Sequence, residues 1–113
     1  MTKKREVSDY LNDILDSIAK IEQFTKGIAY NEFVKDEKTA FAVIRAIEII
    51  GEAAKSIPLD FRKKHQDLPW KEMSGTRDKL IHGYFGVDYK VIWKTIKEDL
   101  LPLREKLQQF NKE

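Results

Sequence analysis

Apolar residues recur at three- and four-residue spacing in three long stretches of the chain, and no stretch alternates with period two. Leu11, Ile14, Leu15, Ile18 and Ile21, with Asn12, Asp13, Asp16 and Lys20 between them, predict an amphipathic helix. Ser8 or Asp9 is available as its N-cap, and Gly27 as its stop. A second helix is expected from near Asp36 to about Ile57, where Pro58 ends it. Its apolar set, Ala40, Phe41, Val43, Ile44, Ile47, Ile50 and Ala54, carries bulk on more than one side, so it should be the central, most buried helix.

Residues 58–69 hold two of the three prolines and read as a connection, with room for a short helix around Phe61-Arg62-Lys63-Lys64. A third helix is expected from Trp70 to about His82, entered through Pro69. Gly83, Tyr84, Phe85 and Gly86 form a glycine-flanked break, and Asp88 can cap a last helix. That helix bears the stripe Trp93, Ile96, Leu100, Leu103, Leu107 and Phe110. Pro102 lies inside the stripe and should kink the helix or split it after Leu101. The expected fold is all-α, a single-domain bundle of four to five helices over residues 1–113.

Composition narrows the chemistry. With 42% apolar and 35% charged residues, 113 residues suit one globular domain. The absence of Cys excludes disulfides, thiolate metal sites and a cysteine nucleophile, and two His leave too few soft ligands for a metal cage. No run approaches a membrane span, and the basic start Met-Thr-Lys-Lys-Arg-Glu lacks an apolar signal core, so a cytoplasmic location is expected. A net charge of +2 argues against indiscriminate polyanion binding. The charge is uneven, however: residues 1–61 carry 9 Lys+Arg and 11 Asp+Glu, whereas residues 62–113 carry 12 and 8.

The basic half contains the unusual segment Thr76-Arg77-Asp78-Lys79-Leu80-Ile81-His82-Gly83-Tyr84. On a helix, Asp78 and His82 would be roughly 40° apart and share a face. His is suited to general acid–base chemistry near neutrality, Asp78 could fix its tautomer, and Arg77 could hold a phosphate by paired hydrogen bonds. A base plus a guanidinium suffices to cut RNA by attack of its own 2′-hydroxyl, with no metal required. The same residues also fit a helix-end His favouring the helix dipole and a solvated Arg–Asp pair.

Arg77-x4-His82-x-Tyr84 resembles the Rx4HxY signature of the HepT-like toxins in the HEPN superfamily of helical ribonucleases. The resemblance extends to Arg45-Ala-Ile-Glu48-Ile-Ile-Gly51-Glu52-Ala-Ala-Lys55, to Leu68-Pro69-Trp70, and to Phe85-Gly86-Val87-Asp88. It continues through Val91-Ile92-Trp93 and Asp99-Leu100-Leu101-Pro102-Leu103. It implies a helical-bundle homodimer, with the motif copies facing across a cleft, able to assemble further. It also implies Arg77 and His82 as the catalytic pair, Asp78 in support, and RNA (tRNA or mRNA) cut without metal or cofactor. The cognate antitoxin of such proteins is a minimal nucleotidyltransferase that attaches AMP to the motif Tyr, here Tyr84. The alternative is a catalytically inactive HEPN module that serves such a nucleotidyltransferase as a binding or regulatory partner.

Other residues carry lesser expectations. Glu48 and Glu52 could pair with Arg45 or Lys55, and Arg45 or Glu48 could orient the motif residues. Trp70 and Trp93 should be core or interface anchors. His65 is expected to be exposed, within a basic run able to meet RNA phosphates.

Overall fold

The structure is a computed structural model that describes the backbone of residues 5–80 and 88–111 and the side chains of 5–75 and 88–110. Among the described residues there are helices and no strands, as the periodicity predicts. The elements are α1 (Val7–Thr25), α2 (Tyr30–Lys35), α3 (Glu37–Ser56), α4 (Leu59–Lys64), α5 (Trp70–Leu80) and α6 (Tyr89–Lys94). A π turn (Thr95–Asp99) then leads directly into α7 (Leu100–Asn111). The long helices α1, α3, α5 and the α6–α7 rod are the four predicted ones, and α4 is the short helix expected in the connection.

Local chemistry sets the ends. Helix α1 starts earlier than Ser8 or Asp9 would allow, with Glu6 at the N-cap position. Asp9 is instead the third residue of the helix, and its carboxylate reaches back to accept the Glu6 N–H at 2.8 Å. Gly27 ends the helix as expected, at φ +78°, in the left-handed region that suits a residue without Cβ. Asp36 caps α3, its carboxylate accepting the Thr39 N–H at 3.1 Å and the Thr39 hydroxyl at 2.6 Å. Those two bonds hold the Asp36 carboxyl below its ordinary range, the hydroxyl contributing most.

Helix α3 is the centre of the bundle and packs on both α1 and α5. Ala40, Val43, Ile47, Ile50 and Ala54 form its main buried stripe, and Ala46 and Ala53 extend the burial to a second side. Phe41 departs from the expected set and is 69% exposed. It lies roughly 140° round the helix from the middle of that stripe, on the side away from the core.

The short α2 has no periodic signal in the sequence, yet Phe33 within it is fully buried. Its ring meets Trp93 at 5.2 Å and Tyr89 at 5.9 Å, joining α2 to α6. Trp93 is therefore a half-buried anchor, with the Lys97 ammonium 4.6 Å from its ring centre. Ile92, one residue before the predicted stripe, is the fully buried position of that turn.

Helix α7 is not split after Leu101 but runs on through Pro102. The irregularity lies one turn earlier, where the Leu100 N–H donates to the Thr95 carbonyl, five residues back. Proline lacks the N–H that would engage the residue-98 carbonyl and crowds it, and a wider turn upstream accommodates both effects.

Candidate active site

Helix α5 carries positions 77 and 78, and its placement begins with Leu68-Pro69-Trp70. Leu68 and Trp70 are buried in the common core. The Trp70 indole N–H donates to the His65 carbonyl at 2.9 Å, which fixes the connection against the start of α5. The Met73 N–H donates to the Pro69 carbonyl at 2.9 Å, closing the first turn, and the Ser74 hydroxyl donates to the Trp70 carbonyl at 2.8 Å.

The contact between α3 and α5 depends on Gly51. A Cβ at that position would stand 3.2 Å from the Met73 carbonyl oxygen and 3.6 Å from that of Ser74. A Cβ there would be tighter than most real contacts, so the Met73 backbone would have to give by a few tenths of an ångström. Gly51 is a positioning residue that the sequence reading did not single out, although an isolated Gly within a long apolar helix is a signal of such an approach.

Trp70 and Met73 mark the stripe of α5 that meets the core. Position 77 is seven residues beyond Trp70, within the described backbone of the same helix. Position 78 is its neighbour on the same helix. The motif positions of Arg77 and Asp78 are thus on a helix seated on α3, while His82 and Tyr84 lie outside the described residues. After that segment, the Asp88 carboxylate accepts the Val91 N–H at 3.2 Å and caps α6, as expected.

The remaining expectations divide. On α3, Arg45 Nη1 stands 4.0 Å from Glu52 Oε1, two turns along, and both side chains are well exposed. Trp70 is a core residue, as predicted. His65 is not exposed: its half-buried ring lies 4.3 Å from that of Phe61 and 4.5 Å from that of Phe110. The α7 stripe ends on this histidine, which draws it off the surface. Lys63 and Lys64 of the same basic run are exposed. Among the described residues no group of three or more His, Asp or Glu side chains could hold a metal ion. None of the described helices is long and apolar enough to cross a membrane.

A family model described as Ribonuclease HepT-like matches residues 14–110, a span that contains the whole Arg77–Tyr84 motif. The chain belongs to the HepT-like ribonuclease family. It is 55% identical over 109 residues to a Thermococcus cleftensis protein named "Probable ribonuclease HepT", covering 96% of this chain and 99% of the relative. A Methanocaldococcus jannaschii protein named as an RNase by inference is 50% identical over 105 residues, covering 93% and 96% of the two chains. A second protein of that organism, named likewise, is 43% identical over 110 residues, covering 97% and 91%. No solved structure matches the chain significantly. The resemblance read from the motif is thereby established for nearly the full chain, and membership of this HepT-like family supports an RNase function with RNA as substrate.

Proposed function

We propose that this HepT-like protein is a metal-independent endoribonuclease and the toxin of a type VII toxin–antitoxin pair. The observation that carries the reading is an intact Rx4HxY motif whose Arg position lies on a helix seated on the bundle's central helix. In this mechanism the His82 imidazole takes the proton of an RNA 2′-hydroxyl. The freed oxygen attacks the adjacent phosphorus and the bond to the 5′-oxygen breaks, with that oxygen taking a proton. One fragment ends in a 2′,3′-cyclic phosphate and the other in a 5′-hydroxyl. Arg77 binds the phosphate oxygens and offsets the charge that develops at phosphorus. Asp78 holds the imidazole in its productive tautomer.

The working unit is a homodimer in the cytoplasm, with two motif copies bordering one cleft. Tyr84, two residues from His82, is the site where a cognate minimal nucleotidyltransferase attaches AMP. The adduct adds bulk and negative charge where an RNA phosphate must dock, so it blocks cleavage sterically and electrostatically.

The test compares wild type with His82→Ala and Arg77→Ala on tRNA and total cellular RNA in the presence of EDTA. Wild type should release fragments with 2′,3′-cyclic phosphate ends, and both variants should be inactive. Equal cleavage by all three proteins would remove the assignment.

A further inference from the structure

A groove of about 370 Å³ opens between α5 and the π turn with the start of α7, over the central helix α3. Its floor is apolar, formed by Ile47, Ile50, Met73 and Leu103, and its rim carries the carboxylates of Glu72, Glu98 and Asp99. The π turn shapes this rim. Its lower rotation per residue lets Glu98, Asp99 and Leu100 border the same groove although they are consecutive. Among the described residues the cation on this rim is Lys106, and its ammonium already donates to the Asp67 carbonyl at 3.0 Å.

We propose that this groove docks a protein partner that presents a basic amphipathic helix, with apolar side chains on the Ile47–Met73–Leu103 floor and Lys or Arg beside Glu98 and Asp99. Charge complementarity selects the occupant. The carboxylates of Glu98 and Asp99 favour a cationic partner over nucleic-acid phosphates. The polar groups beside the floor are engaged within the chain: the Thr95 hydroxyl donates to the Val91 carbonyl at 2.9 Å, and Lys106 is held by Asp67. Recognition here therefore comes from apolar anchors and peripheral charge, the mode in which a helix lies in a groove between helices. The inference stands apart from RNA cleavage and would survive its failure.

The test uses two designed helical peptides with the same Leu stripe, one flanked by Lys and one by Glu, titrated into the methyl-labelled full chain. The Lys peptide should shift the methyl resonances of Ile47, Ile50, Met73 and Leu103, and the Glu peptide should not. The double variant Glu98→Lys with Asp99→Lys alters exposed side chains, so its methyl spectrum reports retained folding directly. It should bind the Lys peptide about tenfold more weakly, as expected on reversing charges at an interface rim. Lys-peptide binding without shifts at those methyls, equal binding of both peptides, or an RNA oligonucleotide shifting the same methyls would overturn the proposal.

Discussion

Gly51 of α3 and Met73 of α5 meet backbone to backbone, so that the Met73 carbonyl occupies the space beside a Cβ that Gly51 lacks. This approach seats the helix that carries the Arg77 and Asp78 positions. Gly51→Leu should destabilise the fold by about 1–3 kcal/mol, the usual result of overpacking a close contact. Gly75, on the same helix α5, has nothing within 4 Å of an added Cβ. Gly75→Ala should therefore stabilise by roughly 0.5–1 kcal/mol through helix propensity. Urea unfolding of the two variants checks both signs.

Trp70 links the connection to α5 through its indole bond to the His65 carbonyl and through its ring, 6.1 Å from that of Phe61. Trp70→Phe keeps an aromatic ring but removes the indole donor, leaving the His65 carbonyl with the Leu68 N–H at 3.2 Å alone. A loss of about 0.5–1.5 kcal/mol is expected, the net worth of one hydrogen bond. Because α5 starts at this residue, RNA cleavage should fall together with thermal stability.

Arg104 and Glu22 join α7 to α1 through one guanidinium nitrogen that lies 2.6 and 2.8 Å from the two carboxylate oxygens. Both side chains are about one-third exposed, which screens the pair. A double-mutant cycle of Glu22→Gln and Arg104→Met should give a coupling of roughly 0.5–1 kcal/mol, at the upper end for exposed pairs. The coupling should shrink in high salt.

The Asp36 cap makes stability depend on acidity. Its carboxyl is held lower in the folded chain than its ordinary value of 3.8, chiefly by the Thr39 hydroxyl. Its contribution is thus complete above the unfolded value and is lost as pH falls through the folded one. Asn caps helices about as well as Asp but does not titrate. Asp36→Asn should therefore flatten the fall in Tm below about pH 3.8, measured by circular dichroism against wild type.

If the proposed pairing holds, Tyr84 should accept AMP when the chain is incubated with ATP, Mg2+ and a minimal nucleotidyltransferase of the proposed antitoxin class. Intact-mass measurement of wild type and Tyr84→Phe tests the site. An adduct on the Phe variant equal to that on wild type would exclude it.

The helical periods of α1, α3 and the α6–α7 rod were legible because each helix keeps one apolar stripe in register over several turns. Gly27 as a stop and Asp88 as a cap were equally legible, since such a device acts within three residues of itself, and Asp36 was legible as the neighbourhood of a helix start. Phe33 was not: α2 is too short for a period, and its burial comes from Trp93 and Tyr89, some sixty residues away. His65 was misjudged for a related reason, because the basic residues around it suggested solvent while Phe110 of α7 closes over it. At the candidate site the motif letters were readable, but the seating of α5 was not.

The sequence by itself determined the helical class, most helix ends and the motif that defines the family, because these rest on spacing and on short-range hydrogen bonds. Only the tertiary structure decided that Phe41 faces outward, that the irregularity near Pro102 is a π turn upstream of it, and that α5 packs closely against Gly51 of α3. Those outcomes depend on which backbones approach each other, and close packing between distant segments leaves no period in the chain.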